Sequence, residues 1–431
     1  MRGTLFLILI SCALLCAAQK PAPGAPQRRS VLVTGGTVHV GNGTTYLEGA
    51  VGFRDGRIDY VGYGYGVKLA YDTVIDVAGE HVYPGLILPD ATLGLLEIDQ
   101  VSATNDVDEV GRMEPEVRAL SAYNTDSRIV PTVRANGVLL AQIVPRGGRL
   151  SGTSSIVQLD AWENADAAVV PDDGVHINWV DAFSRSGHWT GPTKVQKNDA
   201  EERRKELQEL QRFFREARAY ARIEHADVDL RMEAMRGLFT GATTLYVHAD
   251  LTREIQEAVT FAREHGVQRL VIVGGYDAWR VADLLRDNKV DVILRRLHSL
   301  PMREDDDVDL PYRLPALLKA KGIRFCLGYA GDMERMGSRN LAFLAGTAAA
   351  HGLDREEALR AITLDAAAIL GIDKRYGSLE VGKSATLFVS KGDALDMRTN
   401  EVDRAFIDGR QVTLDDHQKA LYRLYRGRYM R

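Results

Sequence analysis

Short apolar runs broken by glycine, proline and aspartate divide the chain into zones. Near the start, Val31, Leu32 and Val33 lead into Gly35-Gly36, and apolar stretches at 50–53 and 58–61 flank Asp55-Gly56. Asp-Gly between alternating apolar residues predicts a tight hairpin, because both central residues of such a turn need positive φ. The pattern returns near the far end, where residues 386–390 form a strand and 404–407 meets 411–412 across Asp408-Gly409. Two β-rich pieces at opposite ends predict one small β-sandwich built from both termini.

Between them the pattern alternates. Strands are predicted at 137–144, 156–159, 244–248, 269–273, 291–294 and 324–327, with helices at 251–264, 278–287, 312–321 and 340–350. Such alternation implies a parallel sheet with right-handed crossovers. The predicted fold is therefore α/β, a (β/α)8 TIM-like barrel over residues 84–376 with the composite domain at 30–83 plus 377–431. Residues 200–224 read as a charged covering helix whose apolar stripe is Leu207, Leu210, Phe214 and Ala217, one face packed and the other solvated.

Composition narrows the function. The 431 residues are 45% hydrophobic and 26% charged with a net charge of −5, which suits a globular protein and gives no cationic excess for nucleic acid. Residues 1–18 read as a signal peptide, with Arg2, an apolar core at 5–15 and a small-residue cleavage site before Gln19. A periplasmic or extracellular protein is expected, lipid anchoring at Cys12 being the minor alternative. Residues 19–29 form a Pro-rich tether. No transmembrane span is expected, since no later run reaches ~18 apolar residues. Once the signal is removed only Cys326 is left, inside an apolar strand and inert, so no internal disulfide is expected.

The informative stretch is 81–94, HVYPGLILPDATLG, an apolar strand ending in a polar turn, as at the mouth of an α/β barrel. With the strand TLYVH (244–248) and the passage ITLDAAAILGIDKRYGSLEVGKSAT (362–386), it resembles the amidohydrolase superfamily, within it the exported imidazolonepropionase-like members. There the first-strand frame reads roughly PGLIDAHTHLG. The resemblance implies a hydrolase acting on C–N bonds, with one or two divalent metals at the barrel mouth that activate water. It places the family's first histidine pair on Asp90 and Thr92, a middle-strand lysine near Gln158, the fifth-strand histidine on His248, the sixth-strand histidine on Gly274 and the terminal aspartate on Ala330, two residues before Asp332. Only His248 is retained. Zinc needs three or more directed ligands, so no metal is expected, unless Asp90, Asp250 and Asp332 rebuild a Zn, Mn or Mg site around His248. The catalytic candidates are His248 as ligand or general base, and Asp332 or Asp90 positioning water.

Substrate contacts are expected from the loop PRGGRLSGT (145–153), whose Arg146, Arg149 and Ser151 could grip a carboxylate or phosphate. Its glycines equally suit a structural turn. His298, beside Ser299, is a further candidate, with polar loop filling the plainer reading. His176, His188 and His351 show no ligand spacing, REDDDVD (303–309) reads as a solvated acidic loop, and Tyr422, Tyr425 and Tyr429 in the basic tail read as a packed face. Two functions follow. One is an exported hydrolase of a cyclic or non-peptide C–N bond with a degenerate metal site. The other is a catalytically silent barrel that binds a small ligand, or pairs as a homo-oligomer or with an active amidohydrolase paralogue.

Overall fold

The computed structural model describes residues 22–181, 200–331 and 333–430, and the backbone of 183–186 and 194–197. The signal peptide, Cys12, His188, Trp189 and Asp332 lie outside the described residues.

The N-terminal strands are β1 (Val31–His39), β2 (Thr45–Arg54), β3 (Arg57–Tyr63), β4 (Thr73–Asp76) and β5 (His81–Pro84). The β2–β3 turn has Asp55 at φ 49° and Gly56 at 77°, the left-handed pair that Asp-Gly was read to supply. The barrel follows with β6 (Leu86–Ala91), β7 (Val138–Ile143), β8 (Leu150–Gln158) and β9 (Ala168–Asn178). A hairpin of β10 (Phe183–Ser186) and β11 (Lys194–Lys197) precedes β12 (Thr244–Ala249), β13 (Leu270–Gly274), β14 (Asp291–Leu294) and β15 (Phe325–Leu327). The chain then returns to the first sheet through β16 (Leu387–Ser390), β17 (Val402–Ile407) and β18 (Arg410–Val412), in the order β18-β17-β16-β5-β1-β2-β3 with β4 on β1. This sheet closes around Val33, Val51, Phe53, Leu387 and Phe406, so both termini build one apolar core.

The barrel strands run β6-β7-β8-β9-β12-β13-β14-β15. They are parallel except β8, which is antiparallel to both neighbours. The connection from Ile143 to Leu150 is the cause, since so short a loop can only make a hairpin and a parallel return needs a dozen residues or more. Alternation had suggested parallel strands throughout. Ser151 and Thr153 accordingly sit in a strand, not in the loop where they were expected. Inside the barrel Ile87, Leu140, Ile156, Val271, Ile293 and Cys326 form a closed apolar layer, which leaves the opposite, C-terminal ends of the parallel strands for polar chemistry. Cys326 is fully buried and burial pushes its thiol well up.

The helices on the outside include α1 (Ile129–Arg134), α2 (Ala200–Tyr220), α3 (Leu230–Thr240), α4 (Thr252–His265), α5 (Ala282–Asp287), α6 (Leu310–Ala320), α7 (Leu341–Ala350), α8 (Arg355–Arg360), α9 (Leu364–Leu370) and α10 (His417–Tyr429). In α2, Leu210, Phe214 and Ala217 are buried as the stripe predicted, joined by Phe213. Three readings are corrected. The Pro-rich tether is docked, not free. Pro23 is buried, Gly24 N donates to Asp160 Oδ2 at 2.8 Å, and Gly56 N donates to Gln27 Oε1 at 2.7 Å. The acidic loop is partly folded in, with Tyr276 donating to Asp306 at 2.8 Å and Arg303 paired with buried Asp277. The tyrosine face of α10 is not packed, for no residue of that helix is buried. Among the described residues no helix is long and apolar enough to cross a membrane.

Candidate functional site

The polar cluster begins where β6 ends. Asp90 has φ 51°, a left-handed backbone that Asp tolerates better than most residues, and is 1% exposed. Arg146, from the glycine loop after β7, spans it, with Nη1 donating to Asp90 Oδ1 at 2.5 Å and Nη2 to the Asp90 carbonyl at 2.9 Å. The same Nη2 lies 3.3 Å from Glu334 Oε1. That carboxylate accepts from Thr92 N at 2.7 Å and from Thr92 Oγ1 at 3.1 Å. Asp90 and Thr92 thus serve a buried ion-pair network. Burial pulls the Arg146 pKa down, but Asp90 and Glu334 more than offset it and hold the guanidinium charged. Burial raises the Glu334 carboxyl despite Arg146 beside it.

A second chain of contacts crosses from β14 towards β8. Arg295 Nη2 donates to His248 Nδ1 at 2.7 Å. His248 Nε2 is 3.0 Å from His176 Nδ1, and His176 Nε2 is 2.9 Å from Ser154 Oγ. Ser154 Oγ reaches Asp173 Oδ1 at 2.6 Å, while Tyr246 and Gln142 donate to Asp173 Oδ2 at 2.9 and 2.8 Å. A guanidinium can only donate. His248 Nδ1 must therefore accept, its proton sits on Nε2, and every later bond in the chain takes the same direction. Both imidazoles are held neutral. Burial pushes the His248 pKa well down, with Arg295 and Arg146 adding to it. Burial does the same for His176, with His248 second.

The cluster opens on a cavity of about 510 Å³ bordered by His248, Arg295, Asn178, Trp179, Asp250 and Arg149. Arg295 Nε is buried without a partner among the described residues, and its Nη1 lies 3.7 Å from Asp250 Oδ2. The predicted residues divide accordingly. His248, Asp90 and Arg146 come together. Arg149 borders the cavity but is a strut, donating to the Trp179 carbonyl at 2.7 Å and to Glu206 at 2.7 Å. Ser151 donates to the Gly147 carbonyl at 2.7 Å and accepts from Asn178 at 3.1 Å, locking the glycine turn. His298 contacts Thr347 at 2.7 Å and does not border this cavity. Sequence reasoning missed His176, Arg295, Glu334 and Asp173. Of these only His176, in the alternating run GVHIN of β9, carried a readable signal, since every second residue of a barrel strand points inward.

The fold and this site define a barrel protein with its polar chemistry at the C-terminal strand ends. Residues 222–412 match the amidohydrolase family. Among solved structures, an amidohydrolase from Thermotoga maritima MSB8 superposes with TM-score 0.76 at 23% identity, over 89% of this chain and 99% of that one. A Xaa-Pro dipeptidase with bound methionine gives TM-score 0.54 at 14% identity over 89% and 99%, and molinate hydrolase gives 0.55 at 14% over 91% and 95%. No protein of curated function matches the sequence. The family match covers the later barrel strands and the return to the terminal sheet, and the solved structures share the fold of nearly the whole chain.

The amidohydrolase family matched by residues 222–412 usually uses a divalent metal, and three possible donors converge at this mouth. Asp90, His176 and His248 bring one ligand atom each within 4.8 Å of one another. His248 is thus not alone, and the partner is His176, not Asp250. Asp90 Oδ2, buried without a hydrogen-bond partner, favours an ion. The remaining observations oppose one. The lone pair of His248 is taken by Arg295, its Nε2 carries a proton, and Asp90 is neutralised by Arg146. Two guanidiniums beside three donors repel a dication. The position where the resemblance places a sixth-strand histidine is Gly274, whose φ of 105° is a conformation that L side chains rarely adopt. In this arrangement the residues do not fit a divalent ion.

Proposed function

We propose that the barrel mouth binds a small carboxylate-bearing amide through Arg295, and that this superfamily member of hydrolase descent works without a metal centre. The observation that carries the reading is the Arg295–His248 hydrogen bond. It takes up the imidazole lone pair that a metal or a general base would need. Arg295 itself borders the cavity, and its guanidinium, 3.7 Å from Asp250 at Nη1, is the charge there that a carboxylate would pair with. Arg146 does not compete, since Asp90 and Glu334 already surround it. The amide part of the ligand comes from the structural relatives, which are named as a Xaa-Pro dipeptidase and a molinate hydrolase. On the same reading the protein is exported on residues 1–18, and the degenerate centre leaves it a binding subunit, alone or beside an active paralogue.

The test is calorimetric titration of the protein with N-acyl amino acids and with their methyl esters, with and without added Zn²⁺ or Mn²⁺. The acids should bind, the esters about tenfold more weakly, and Arg295→Met should abolish the difference. A second reading, metal-assisted hydrolysis of the same compounds, draws on the partnerless Asp90 Oδ2. Stoichiometric metal, with turnover lost in His176→Ala and His248→Ala, would establish it and overturn the first.

A further inference from the structure

The apolar stripe of α10 has no cover among the described residues. Leu421, Tyr422, Tyr425 and Tyr429 are 38, 62, 54 and 79% exposed. At about 100° per residue they fall within roughly 100° of one another around the axis. Lys419 and Arg426 flank the stripe on one side and Arg428 on the other, Arg423 lies further round and pairs with Asp415 at 2.7 Å, and no acidic residue occurs from His417 onward. On a chain of net charge −5, this is a cationic helix with an aromatic stripe.

Its position adds a second observation. The helix is fixed at its root. Asp416 accepts from Lys419 N at 2.8 Å, and Thr132 of α1 donates to Gln418 Oε1 at 2.7 Å. Beside the same α1, Pro23 borders a small cavity together with Tyr123, Val130 and Pro131. The chain therefore enters the described structure, a few residues after the apolar run at 5–15, next to the helix from which α10 departs.

We propose that this face rests on an anionic lipid bilayer, with α10 lying flat among the headgroups, its tyrosines and Leu421 turned inward and its arginines at the phosphates. Tyrosine suits that depth because its ring is apolar and its hydroxyl wet. A second copy is the poorer occupant. Apposing two such stripes brings Arg426 and Arg428 of both helices together with no acid on either to compensate.

The full chain should be co-sedimented with phosphatidylcholine vesicles and with vesicles carrying about 30% phosphatidylglycerol. The expected result is a phosphatidylglycerol-dependent component of binding that weakens in about 0.5 M salt. It should fall about tenfold both in Arg423→Gln/Arg426→Gln/Arg428→Gln and in Tyr425→Glu/Tyr429→Glu. Binding through the N-terminal apolar run would be equal on both vesicles and untouched by either variant. Because the substituted side chains are exposed, circular dichroism should be unchanged. No dependence on phosphatidylglycerol, or dependence unaffected by both variants, overturns the proposal. So does self-association in sedimentation that Tyr425→Glu/Tyr429→Glu abolishes while vesicle binding stays.

Discussion

Arg295 Nη2 points at Nδ1 of His248 across 2.7 Å, so a guanidinium stands on the imidazole of β12. The guanidinium is one of the charges that push the His248 pKa well down, after burial itself. Arg295→Met should therefore raise that pKa, and the shift is readable in the pH titration of the His248 ring signal by NMR. A ring signal indifferent to the substitution would mean the contact is not made in solution.

The low pKa values of His176 and His248 have a sign for stability. Each folded value lies below the unfolded one near 6.5, so between the two the unfolded chain binds more protons. Their contribution is fully present above about pH 6.5 and is lost as pH falls through the folded values. The raised carboxyls of Asp173 and Glu334 act the other way, gaining protons in the folded state as pH falls. The histidine part is isolated by comparing urea unfolding of the native chain with His176→Gln at pH 7.5 and near pH 5.5. The native chain should lose more stability over that interval than the variant.

Arg146 is the cation between two buried carboxylates, Asp90 and Glu334. Arg146→Met should cost about 3 kcal/mol, because removing one partner leaves the others buried and uncompensated. Urea unfolding checks this. The double change Asp90→Asn/Arg146→Met should recover part of the loss, since it removes the pair together.

Gly274 stands where the sequence resemblance places the family's sixth-strand histidine. Its φ of 105° and the 2.4 Å approach of Asp250 to a Cβ built there both disfavour any side chain. Gly274→His should lower stability by roughly 2 kcal/mol or more and should not confer stoichiometric metal binding. Elemental analysis with a melting curve tests both halves.

Cys326 is sealed in the barrel layer with Ile87 and Ile293. Peptide mapping after thiol labelling should find it unmodified in the native protein and modified in denaturant, as expected for a buried thiol with a raised pKa.

Much of the architecture was legible because it rests on local chemistry. Asp55-Gly56 and Asp408-Gly409 announced their hairpins, and the spacing of Leu210, Phe214 and Ala217 announced the buried face of α2. The antiparallel course of β8 was not read, although the short Pro145–Arg149 loop contained the reason. The site was half legible. Asp90, Arg146 and His248 were picked out, but the partners that decide their chemistry come from distant strands. Arg295 follows β14, and Glu334 lies 188 residues beyond Arg146. Nothing in either local sequence shows that they converge. Arg149 and Ser151 were chosen for what their side chains are able to bind, yet Arg149 is spent on the Trp179 carbonyl and Glu206, and Ser151 on the Gly147 carbonyl.

Gly24 is pinched between the carbonyl of Gln411, 2.2 Å from where a Cβ would stand, and the carboxylate of Asp160. A few residues on, Gln27 is stitched to Gly56. One strand of peptide thus laces the terminal sheet to the barrel wall before either has begun. A side chain at position 24 would press on the Gln411 carbonyl, so the lacing depends on a residue that has none.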